Sequence, residues 1–305
     1  MPQAFSSRAR WISAYCPDYP ASLCDLGDAP YLFRVVGQLP SLCRAISIVG
    51  TRRADDEALD FAYELGRHAA LSRVVVISGG AIGVDRAAHE GAVEAGGETI
   101  VVLPTGLDAP YPAVNRDLFA RVVDSGCLLT EVADGTPARS GRFLTRNRLV
   151  AALGQSIVVV QAPARSGALS TARLARKLGR NVFAVPASPW DPRGSGNLRL
   201  LGGGARICAR PADVLSETAP PGGGRGPKRN PVPVESNDFS ALNHNEHTIL
   251  RHLTGRARHA DELCQRTGIP AFQVQQSILR LLVRGLLEER PGGRYQSCRA
   301  SRKPY

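Results

Sequence analysis

The stretch Ala45–Arg53, AISIVGTRR, decides the fold that the sequence predicts. Its first five residues form an apolar run rich in β-branched side chains, which is typical of a buried strand, and Gly50 ends the run. Similar runs follow at Val74–Ile77, Thr99–Leu103, Cys127–Thr130, Ser156–Val160 and Asn181–Val185. Segments with helical spacing of apolar residues lie between them, at Asp55–Ala70, Val84–Ala95, Arg116–Val123, Leu144–Leu153 and Ser170–Leu178. Short apolar strands that alternate with helices indicate parallel βαβ units, so we expect an α/β, Rossmann-like, doubly wound and mostly parallel sheet.

The composition changes at Thr218–Pro233, TAPPGGGRGPKRNPVP, where Pro and Gly dominate and apolar residues become rare. Such a composition is typical of a flexible linker. We therefore expect a Rossmann-like domain over residues 1–217, with residues 1–44 as an N-terminal extension that packs on it. The linker is expected over residues 218–240.

Residues 241–305 are predicted to form a small winged-helix domain. Three helices are expected, at Asn245–Leu253, His259–Thr267 and Ala271–Arg284. Gly268 lies at the tight turn that a helix-turn-helix requires. The segment Leu286–Gln296 resembles a β-hairpin with Pro291, Gly292 and Gly293 at its tip.

Positive charge is concentrated in one part of the chain. Lys and Arg number 38 against 27 Asp and Glu, which gives a formal net charge of +11. Gly135–Trp190 contains no Asp or Glu, although nine cationic residues lie within it: Arg139, Arg142, Arg146, Arg148, Arg165, Arg173, Arg176, Lys177 and Arg180. A solvated face normally mixes charges of both signs, so this distribution favours a surface that binds a polyanion.

Several classes of protein are disfavoured by features that the sequence lacks. No apolar run approaches the roughly 18 residues of a membrane span, and Met1–Arg10 has no signal-peptide core. The seven cysteines are scattered and never form CxxC, which argues against a disulfide framework or a zinc site. GxGxxG does not follow the first strand and GxxxxGK occurs nowhere, which disfavours a dehydrogenase and an ATPase. We expect a cytoplasmic protein without a metal ion, a cofactor or a membrane-inserted segment.

Three loops that follow predicted strands carry residue types that bind phosphate. They hold Gly50, Thr51, Arg52 and Arg53, then Gly79 and Gly80, and then Arg165, Ser166 and Gly167. Ligands of parallel sheets bind beyond the carboxyl ends of the strands, where helix N-termini present free N–H groups to anions. Tight-turn geometry explains any one of these loops, but together they predict a phosphate-binding rim.

The segment Arg142–Arg148, RFLTRNR, combines a ring with guanidinium and amide groups. The candidate DNA-binding residues in it are Arg142, Phe143, Arg146, Asn147 and Arg148. An aromatic ring can stack on an unpaired base, and Arg can pair with phosphate through two hydrogen bonds. The alternative is that Phe143 packs into the core beside exposed arginines.

Histidines carry a weaker signal. Asp85 and His89 are spaced i and i+4 on one helix and could form an acid–base pair, but a hydrogen bond that braces the helix is the preferred interpretation because no nucleophile accompanies them. His244, His247 and His252 lack partner ligands nearby, so they are interpreted as surface residues of a helix and not as a metal site.

An ordered set of motifs resembles the DNA-processing protein A family (DprA/Smf). It comprises Ile48–Arg52, Ser78–Ala81 with Gly83–Asp85, Ala88-His89, Gly106–Asp108 with Tyr111-Pro112, Thr130-Glu131, Phe143 with Arg146–Arg148, and Ser166–Ala168 with Thr171-Ala172. The resemblance covers about residues 19–214, and Gly-Thr-Arg and Arg-Asn-Arg are its more specific parts. The C-terminal helices resemble the winged helix that many members carry. This chain departs from the usual pattern at Gly80, at Leu144 and at Gln161, which stands where an acidic residue is common.

The resemblance implies a protein that is not an enzyme. Members of the family bind single-stranded DNA in a basic pocket, dimerise through the Rossmann-like domain, and load the RecA recombinase during natural transformation. By resemblance, Arg52 would hold phosphate, Phe143 would contact a base, and Arg146 and Arg148 would line the pocket. Gly79 and Gly80 would let the DNA strand approach the backbone.

Two other functions stay open at this point. A phosphoribohydrolase acting on nucleoside monophosphates would use a related fold, but its Pro-Gly-Gly-x-Gly-Thr-x-x-Glu signature is absent. A transcription regulator would read duplex DNA through the winged helix. Arg280, Arg284, Arg290 and Arg294 would allow phosphate contacts there, whereas Glu288 and Glu289 in the wing would repel phosphate.

Overall fold

The chain divides into two compact units, of which one contains most of residues 1–224 and the other most of residues 225–305. The computed structural model describes residues 5–14, 16–218, 242–253, 256–284, 286–290 and 292–297. The expected linker lies outside the described residues from position 219 onward, as do the wing-tip residue Pro291 and residues 298–305. The domain boundaries therefore stay predictions.

The first unit is an alternation of strands and helices around one sheet. Its strands are β1 (Arg10–Ser13), β2 (Leu32–Gly37), β3 (Ala45–Val49), β4 (Val75–Ser78), β5 (Thr99–Val102), β6 (Cys127–Thr130), β7 (Ser156–Val159), β8 (Asn181–Ala184) and β9 (Arg206–Ile207). Its α-helices are α1 (Asp56–Leu71), α2 (Val84–Glu94), α3 (Arg116–Ser125), α4 (Ser140–Leu153), α5 (Gly167–Lys177), α6 (Ser195–Gly202) and α7 (Ala212–Leu215). Short 3-10 helices lie at Ser6–Arg8, Ala21–Asp25, Ala113–Asn115, Pro192–Gly194 and Ser216–Thr218.

The sheet has nine strands in the order β1-β2-β6-β5-β4-β3-β7-β8-β9. All the pairings from β6 to β9 are parallel, whereas β2 pairs with β6 in the antiparallel direction. From β3 the chain builds outward in one direction as far as β6, and from β7 it builds outward in the other. The order therefore reverses between β3 and β7, which is where doubly wound sheets bind ligands. The predicted doubly wound, mostly parallel fold is confirmed.

The sheet is buried on both faces, which explains its continuous apolar strands. Every residue of β3 through β7 is buried, and Ile46, Ile48 and Val158 pack in one core cluster with residues of α1 and α2. A second cluster joins Val101 and Leu128 to Phe119 and other residues of α3. Helices that cover both faces leave the carboxyl edge of the sheet as the accessible place for a ligand.

Two regions of the first unit differ from the sequence expectation. Residues 1–44, expected as an extension, contribute β1 and β2 to one side of the sheet. Helix α4 begins at Ser140 and not at Leu144. The sequence did not show this because Ser140–Phe143, its first turn, lack the apolar spacing that marks a helix. Phe143 consequently lies on a helix and not on a loop.

The second unit contains the winged helix that its sequence predicts. Its elements are α8 (His244–His252), β10 (Arg258–His259), α9 (Ala260–Thr267), α10 (Ala271–Val283), β11 (Leu287–Arg290) and β12 (Arg294–Ser297). The strands form an antiparallel sheet in the order β10-β12-β11. Gly268 ends α9 at a φ of +70°, a left-handed conformation that glycine adopts without strain, so the tight turn lies where it was predicted.

Within the described residues, no helix combines the length and the apolar content that crossing a bilayer requires. The six cysteines in the described ranges carry free thiols.

Candidate nucleic-acid interface

A cavity of about 760 Å³ opens at the carboxyl edge of the sheet, and we call it the basic cavity. Its walls come from the loops after β3, β4 and β7, from the first turns of α4, and from the start of α5. The predicted residues that line it are Gly50, Thr51, Arg52, Arg53, Gly79, Phe143, Arg146, Asn147, Arg165, Ser166 and Gly167. The basic cavity therefore lies at the point where the strand order reverses.

Positive charge dominates the lining. Five arginines line the basic cavity, namely Arg52, Arg53, Arg139, Arg146 and Arg165, against one carboxylate, that of Asp85. All of these arginines except Arg146 are exposed to solvent. A concave surface with one sign of charge concentrates the field, so the cavity attracts anions.

The N-terminus of α5 adds to this potential. Ser166 caps the helix by accepting a hydrogen bond from the Ala168 N–H (3.2 Å), and both residues line the cavity. A helix N-terminus carries about half a positive charge, which favours a phosphate at this position.

Two aromatic rings border the arginines. The rings of Tyr111 and Phe143 meet edge to face, with centroids 5.5 Å apart. The Arg52 guanidinium lies 4.8 Å from the centroid of the Phe143 ring. Phe143 is half-buried and Tyr111 is 41% exposed, so a flat ligand can reach this group of side chains. Such a surface combines stacking with ionic contact, as single-strand binding sites do.

Arg146 has a structural role that the sequence did not reveal. Its side chain is buried, and its guanidinium donates to the carbonyls of Gly79 (2.5 Å) and Val102. Burial lowers the pKa of Arg146 to about 10, so the group is still charged at neutral pH. Arg146 lines the basic cavity, as the resemblance implies, and it forms part of the cavity floor. Both hydrogen bonds come from Nη1 and go to the protein's own carbonyls, so a direct contact of Arg146 with DNA stays a prediction.

The paired glycines are also explained from inside the protein. A Cβ on Gly79 would collide with the Arg146 guanidinium. Gly80 has a φ of +66°, and a Cβ there would lie 2.6 Å from Val101 Cγ1. Gly80 does not line the basic cavity. Internal packing therefore requires both glycines, and the close approach of DNA to them stays a prediction.

Arg148 and Arg142 lie outside the lining of the basic cavity, contrary to expectation. Arg148 forms ion pairs with Glu131 (2.6 Å) and Asp28 (2.9 Å), and Arg142 donates to the Pro137 carbonyl (2.6 Å). Arg180 similarly pairs with Asp25 (2.6 Å). Carboxylates from elsewhere in the chain thus neutralise some of the arginines in Gly135–Trp190, the stretch without Asp or Glu. Fewer arginines of this stretch carry an unpaired charge than the sequence suggested.

Asp85 and His89 do not pair with each other. Asp85 accepts hydrogen bonds from the N–H groups of Gly79 (3.1 Å) and Ala81 (3.3 Å), and burial raises its pKa. His89 Nδ1 lies 2.7 Å from Thr99 Oγ1, and burial lowers its pKa to about 3. The preferred interpretation, a hydrogen bond between Asp85 and His89 that braces the helix, is therefore wrong. Asp85 instead holds the loop after β4, and His89 is a neutral core residue.

Other lining residues were not among the predicted site residues. Tyr111, Arg139 and Ser140 line the basic cavity, together with Ala81, Ala138 and Leu144. Tyr111 belonged to a motif of the family resemblance, and Arg139 to the stretch without acids, so both carried a signal. In the described ranges, no group of three or more His, Cys, Asp or Glu side chains is placed to hold a metal ion.

Comparison with protein families gives two matches. The model described as DNA recombination-mediator protein A matches residues 10–219, and the DprA winged helix domain matches residues 237–293. The chain is 39% identical over 258 residues to a putative DNA processing protein DprA of Mycobacterium tuberculosis, which covers 84% of this chain and 65% of that one. It is 35% identical over 200 residues to the DNA processing protein DprA of Streptococcus pneumoniae, covering 65% of this chain and 71% of that one. The chain thus spans about two thirds of the length of these relatives.

Solved structures agree with these matches. The X-ray structure of DprA from Streptococcus pneumoniae superposes with a TM-score of 0.65 at 33% identity, covering 70% of this chain and 76% of that chain. The DNA processing protein A of Helicobacter pylori, studied for its single-stranded DNA binding mode, superposes with a TM-score of 0.63 at 30% identity, covering 71% and 97%. Since the first family model also matches more than half of the chain, the chain belongs to the DNA recombination-mediator protein A family, which is the DprA/Smf family that its motifs resemble.

Proposed function

We propose that this protein binds single-stranded DNA in the basic cavity. The observation that carries the proposal is the composition of the lining: five arginines and one carboxylate surround a half-buried ring at the switch point of the sheet. Phosphates are held by Arg52, Arg53 and Arg165, with Thr51, Ser166 and the N-terminus of α5 as further donors. Guanidinium groups bind phosphate whatever the base, so binding has no strong sequence preference.

Unpaired bases are the favoured ligand because of the rings. In a duplex the faces of each base are covered by its neighbours, whereas a single strand can present a base to Phe143 and Tyr111. Stacking on an aromatic side chain contributes about 1–3 kcal/mol per base and tolerates any base. The relative from Helicobacter pylori binds single-stranded DNA, which supports the same ligand class here.

The proposal describes a binding protein and not an enzyme. Asp85, the carboxylate in the lining, accepts hydrogen bonds from two backbone N–H groups and is thereby committed to holding a loop. A general acid or base needs a group that is free to exchange a proton with the substrate.

The family membership extends the proposal to the cellular role. We assign to this chain protection of incoming DNA and loading of RecA onto it in natural transformation and recombination, in the cytoplasm, as a homodimer through the Rossmann-like domain. Sedimentation of the full chain tests the dimer. The rate of RecA assembly on single-stranded DNA, with and without the protein, tests loading.

Titration of labelled oligo-dT with the full chain tests DNA binding. We expect Arg52→Ala and Arg165→Ala each to weaken binding and to lower the slope of log K against log salt by about 0.7, the value for one phosphate contact on a single strand. Arg173→Ala is the matched control, because Arg173 is exposed on α5 but does not line the cavity.

Competition experiments separate the proposal from the two alternatives. Unlabelled duplex DNA that displaces oligo-dT more strongly than single strands do would indicate a duplex-binding regulator. Release of free base from nucleoside monophosphates would indicate a phosphoribohydrolase. Identical titrations for Arg52→Ala, Arg165→Ala and the control would refute the assignment of the site.

A further inference from the structure

Trp190 is a large aromatic side chain that the fold leaves in solvent. It is 91% exposed and lies in the loop that follows β8. A single exposed apolar residue is common on protein surfaces and needs no explanation by itself. The position of this one, and the way in which its loop is fastened, carry the inference.

The segment after Trp190 is tied to the wall of the basic cavity. Ala162 donates its N–H to Asn197 Oδ1 (2.8 Å), and Ala164 donates its N–H to Ser195 Oγ (3.0 Å). The Gly196 N–H in turn donates to the Ala162 carbonyl (2.8 Å). Ala162 and Ala164 belong to the loop after β7, the loop that brings Pro163 and Arg165 into the cavity lining.

A second attachment joins the same segment to the loop after β3. Arg193 pairs with Asp55 (3.1 Å), the N-cap residue of α1, and with Asp191 (3.0 Å). Asp55 follows closely on Arg52 and Arg53 in the sequence. The residues directly after Trp190 are thus held to both loops that flank the switch point, and the carboxylates of Asp55 and Asp191 are paired with Arg193.

The two exposed rings follow strands that lie on opposite sides of β3 and β7, whose loops line the basic cavity. Tyr111 follows β5 and Trp190 follows β8, and the strands between them are β4, β3 and β7. Four strand spacings of about 4.8 Å separate β5 from β8, so the two ends lie about 19 Å apart at the level of the sheet. The loops after two of the intervening strands supply the exposed arginines of the lining, Arg52 and Arg53 after β3 and Arg165 after β7.

We infer that Trp190 is a second base-stacking site, which holds an unpaired base of the same DNA strand after it leaves the basic cavity past Arg165. The inference rests on the proposed function, because it requires single-stranded DNA in the cavity. The strand then runs along the carboxyl edge of the sheet from the β5 side to the β8 side. Indole stacks on the face of any base, so the site has no sequence preference.

Two variants of the full chain distinguish the stacking of the Trp190 ring from its fluorescence. The chain has two tryptophans, and Trp190→Phe removes the Trp190 fluorescence but keeps a ring that stacks. Trp190→Ala removes both. Oligo-dT of increasing length is titrated into each protein, and binding is followed separately by the anisotropy of a label on the DNA.

Long oligomers are expected to quench the wild-type tryptophan fluorescence more than that of Trp190→Phe. Oligomers too short to extend beyond the cavity should quench both proteins equally. For long oligomers, Trp190→Ala should weaken binding by about fivefold or more, the lower end of what base stacking contributes, whereas Trp190→Phe should bind within about twofold of wild type. For short oligomers, all three proteins should bind alike.

The two ways of failing give different results. Anisotropy that shows binding of long oligomers, with no extra quenching and equal affinity for Trp190→Ala, would overturn the inference and leave the proposed function intact. An absence of binding at any length would overturn both. A change of sedimentation in Trp190→Ala with DNA affinity unchanged would assign Trp190 to an interface between copies of the chain, and would overturn the stacking site.

Discussion

The basic cavity and the exposed face of α10 both lie where nucleic-acid-binding proteins make contacts, and their chemistry differs. The cavity is lined by five arginines and one carboxylate. Helix α10, the second helix of the helix-turn-helix, exposes Phe272 and Leu279 beside two glutamines. Its exposed Arg280 lies 3.8 Å from the carboxylate of Glu246, which is buried.

The wing shows the same contrast. Arg290 pairs with Glu288 on β11, which neutralises one wing arginine, whereas Arg294 on β12 is exposed. A helix-turn-helix places its second helix in the major groove and relies on basic residues for affinity. The comparison leads us to expect DNA at the arginines of the basic cavity before α10 or β11, because affinity for phosphate depends on guanidinium groups that are not already paired.

The largest expected effect is on stability. It measures how much the buried cation of the cavity, Arg146, contributes to the free energy of unfolding. Arg146→Ala removes a buried cation that binds two carbonyls and leaves the buried Asp85 without it. Breaking such a buried arrangement costs about 3–5 kcal/mol, so the free energy of unfolding measured with urea should fall by this amount. Arg173→Ala, which removes an exposed cation of α5, should leave the unfolding free energy within about 0.5 kcal/mol of wild type. A mild effect of Arg146→Ala, combined with weak DNA binding, would make Arg146 a direct phosphate ligand.

A slightly smaller loss of stability is expected when the pH is lowered. The pKa of His89 is lowered to about 3 and that of His247 in the winged helix to about 4, both because burial disfavours the charged ring. Each unfolded histidine takes up a proton below about pH 6.5, which the folded form resists, so stability falls as the pH falls. His89 should contribute a loss of about 2–3 kcal/mol between pH 7 and pH 4.5.

Urea unfolding of wild type and His89→Gln at both pH values measures this contribution. The difference between the two proteins cancels other groups, including Asp85, whose raised pKa acts in the opposite sense. His247→Gln gives the same measurement for the second unit, where the loss should end near pH 4 instead of pH 3. Equal pH dependence of wild type and His89→Gln would mean that His89 is accessible to protons.

Next in size is the loss of stacking in the basic cavity. Phe143→Ala removes the ring that Arg52 and Tyr111 contact, and should weaken oligo-dT binding by about 1–3 kcal/mol. Phe272→Ala removes an exposed ring from α10 and serves as the aromatic control, with no change expected. Anisotropy titrations of both variants at one salt concentration are sufficient. A greater loss for Phe272→Ala than for Phe143→Ala would reverse the comparison.

The smallest effect is expected for a charge on the winged helix. Arg280→Ala should change oligo-dT affinity by less than about twofold and should leave the salt slope unchanged, because Arg280 is already close to a carboxylate. The matched loss of charge in the cavity, Arg52→Ala, should change both. A reduced salt slope for Arg280→Ala would show that the winged helix contacts phosphate.

Much of the fold could be predicted because the central strands are buried on both faces. The predicted bounds of Cys127–Thr130 are those of β6, and those of the other central strands are off by one residue at most. The strands of residues 1–44 were missed because the βαβ pattern begins only at β3. Leu32–Gly37 is interrupted by Arg34, unlike the central strands, and its antiparallel pairing with β6 depends on a partner that is distant in the sequence.

The candidate site was predicted less completely than the fold. Residues on the loops after β3, β4 and β7 meet because parallel strands present their carboxyl ends at one edge of the sheet. This could be predicted once the strands had been located in the sequence. The partners of each guanidinium group could not be predicted in this way. Arg148 is neutralised by Asp28, 120 positions earlier in the sequence, and Arg146 turns inward to carbonyls that follow other strands. Charge counts do not distinguish a free arginine from one that is paired across the fold.

The hydrogen bonds of Arg146 have a consequence for the thermodynamics of binding. They fasten α4, which carries Phe143, to the ends of β4 and β5 before any DNA arrives. This part of the wall therefore has little conformational entropy left to lose, and the ordering cost of binding falls on the exposed arginine side chains and on the polynucleotide. Each nucleotide that is immobilised must then recover its own cost through stacking and phosphate contacts.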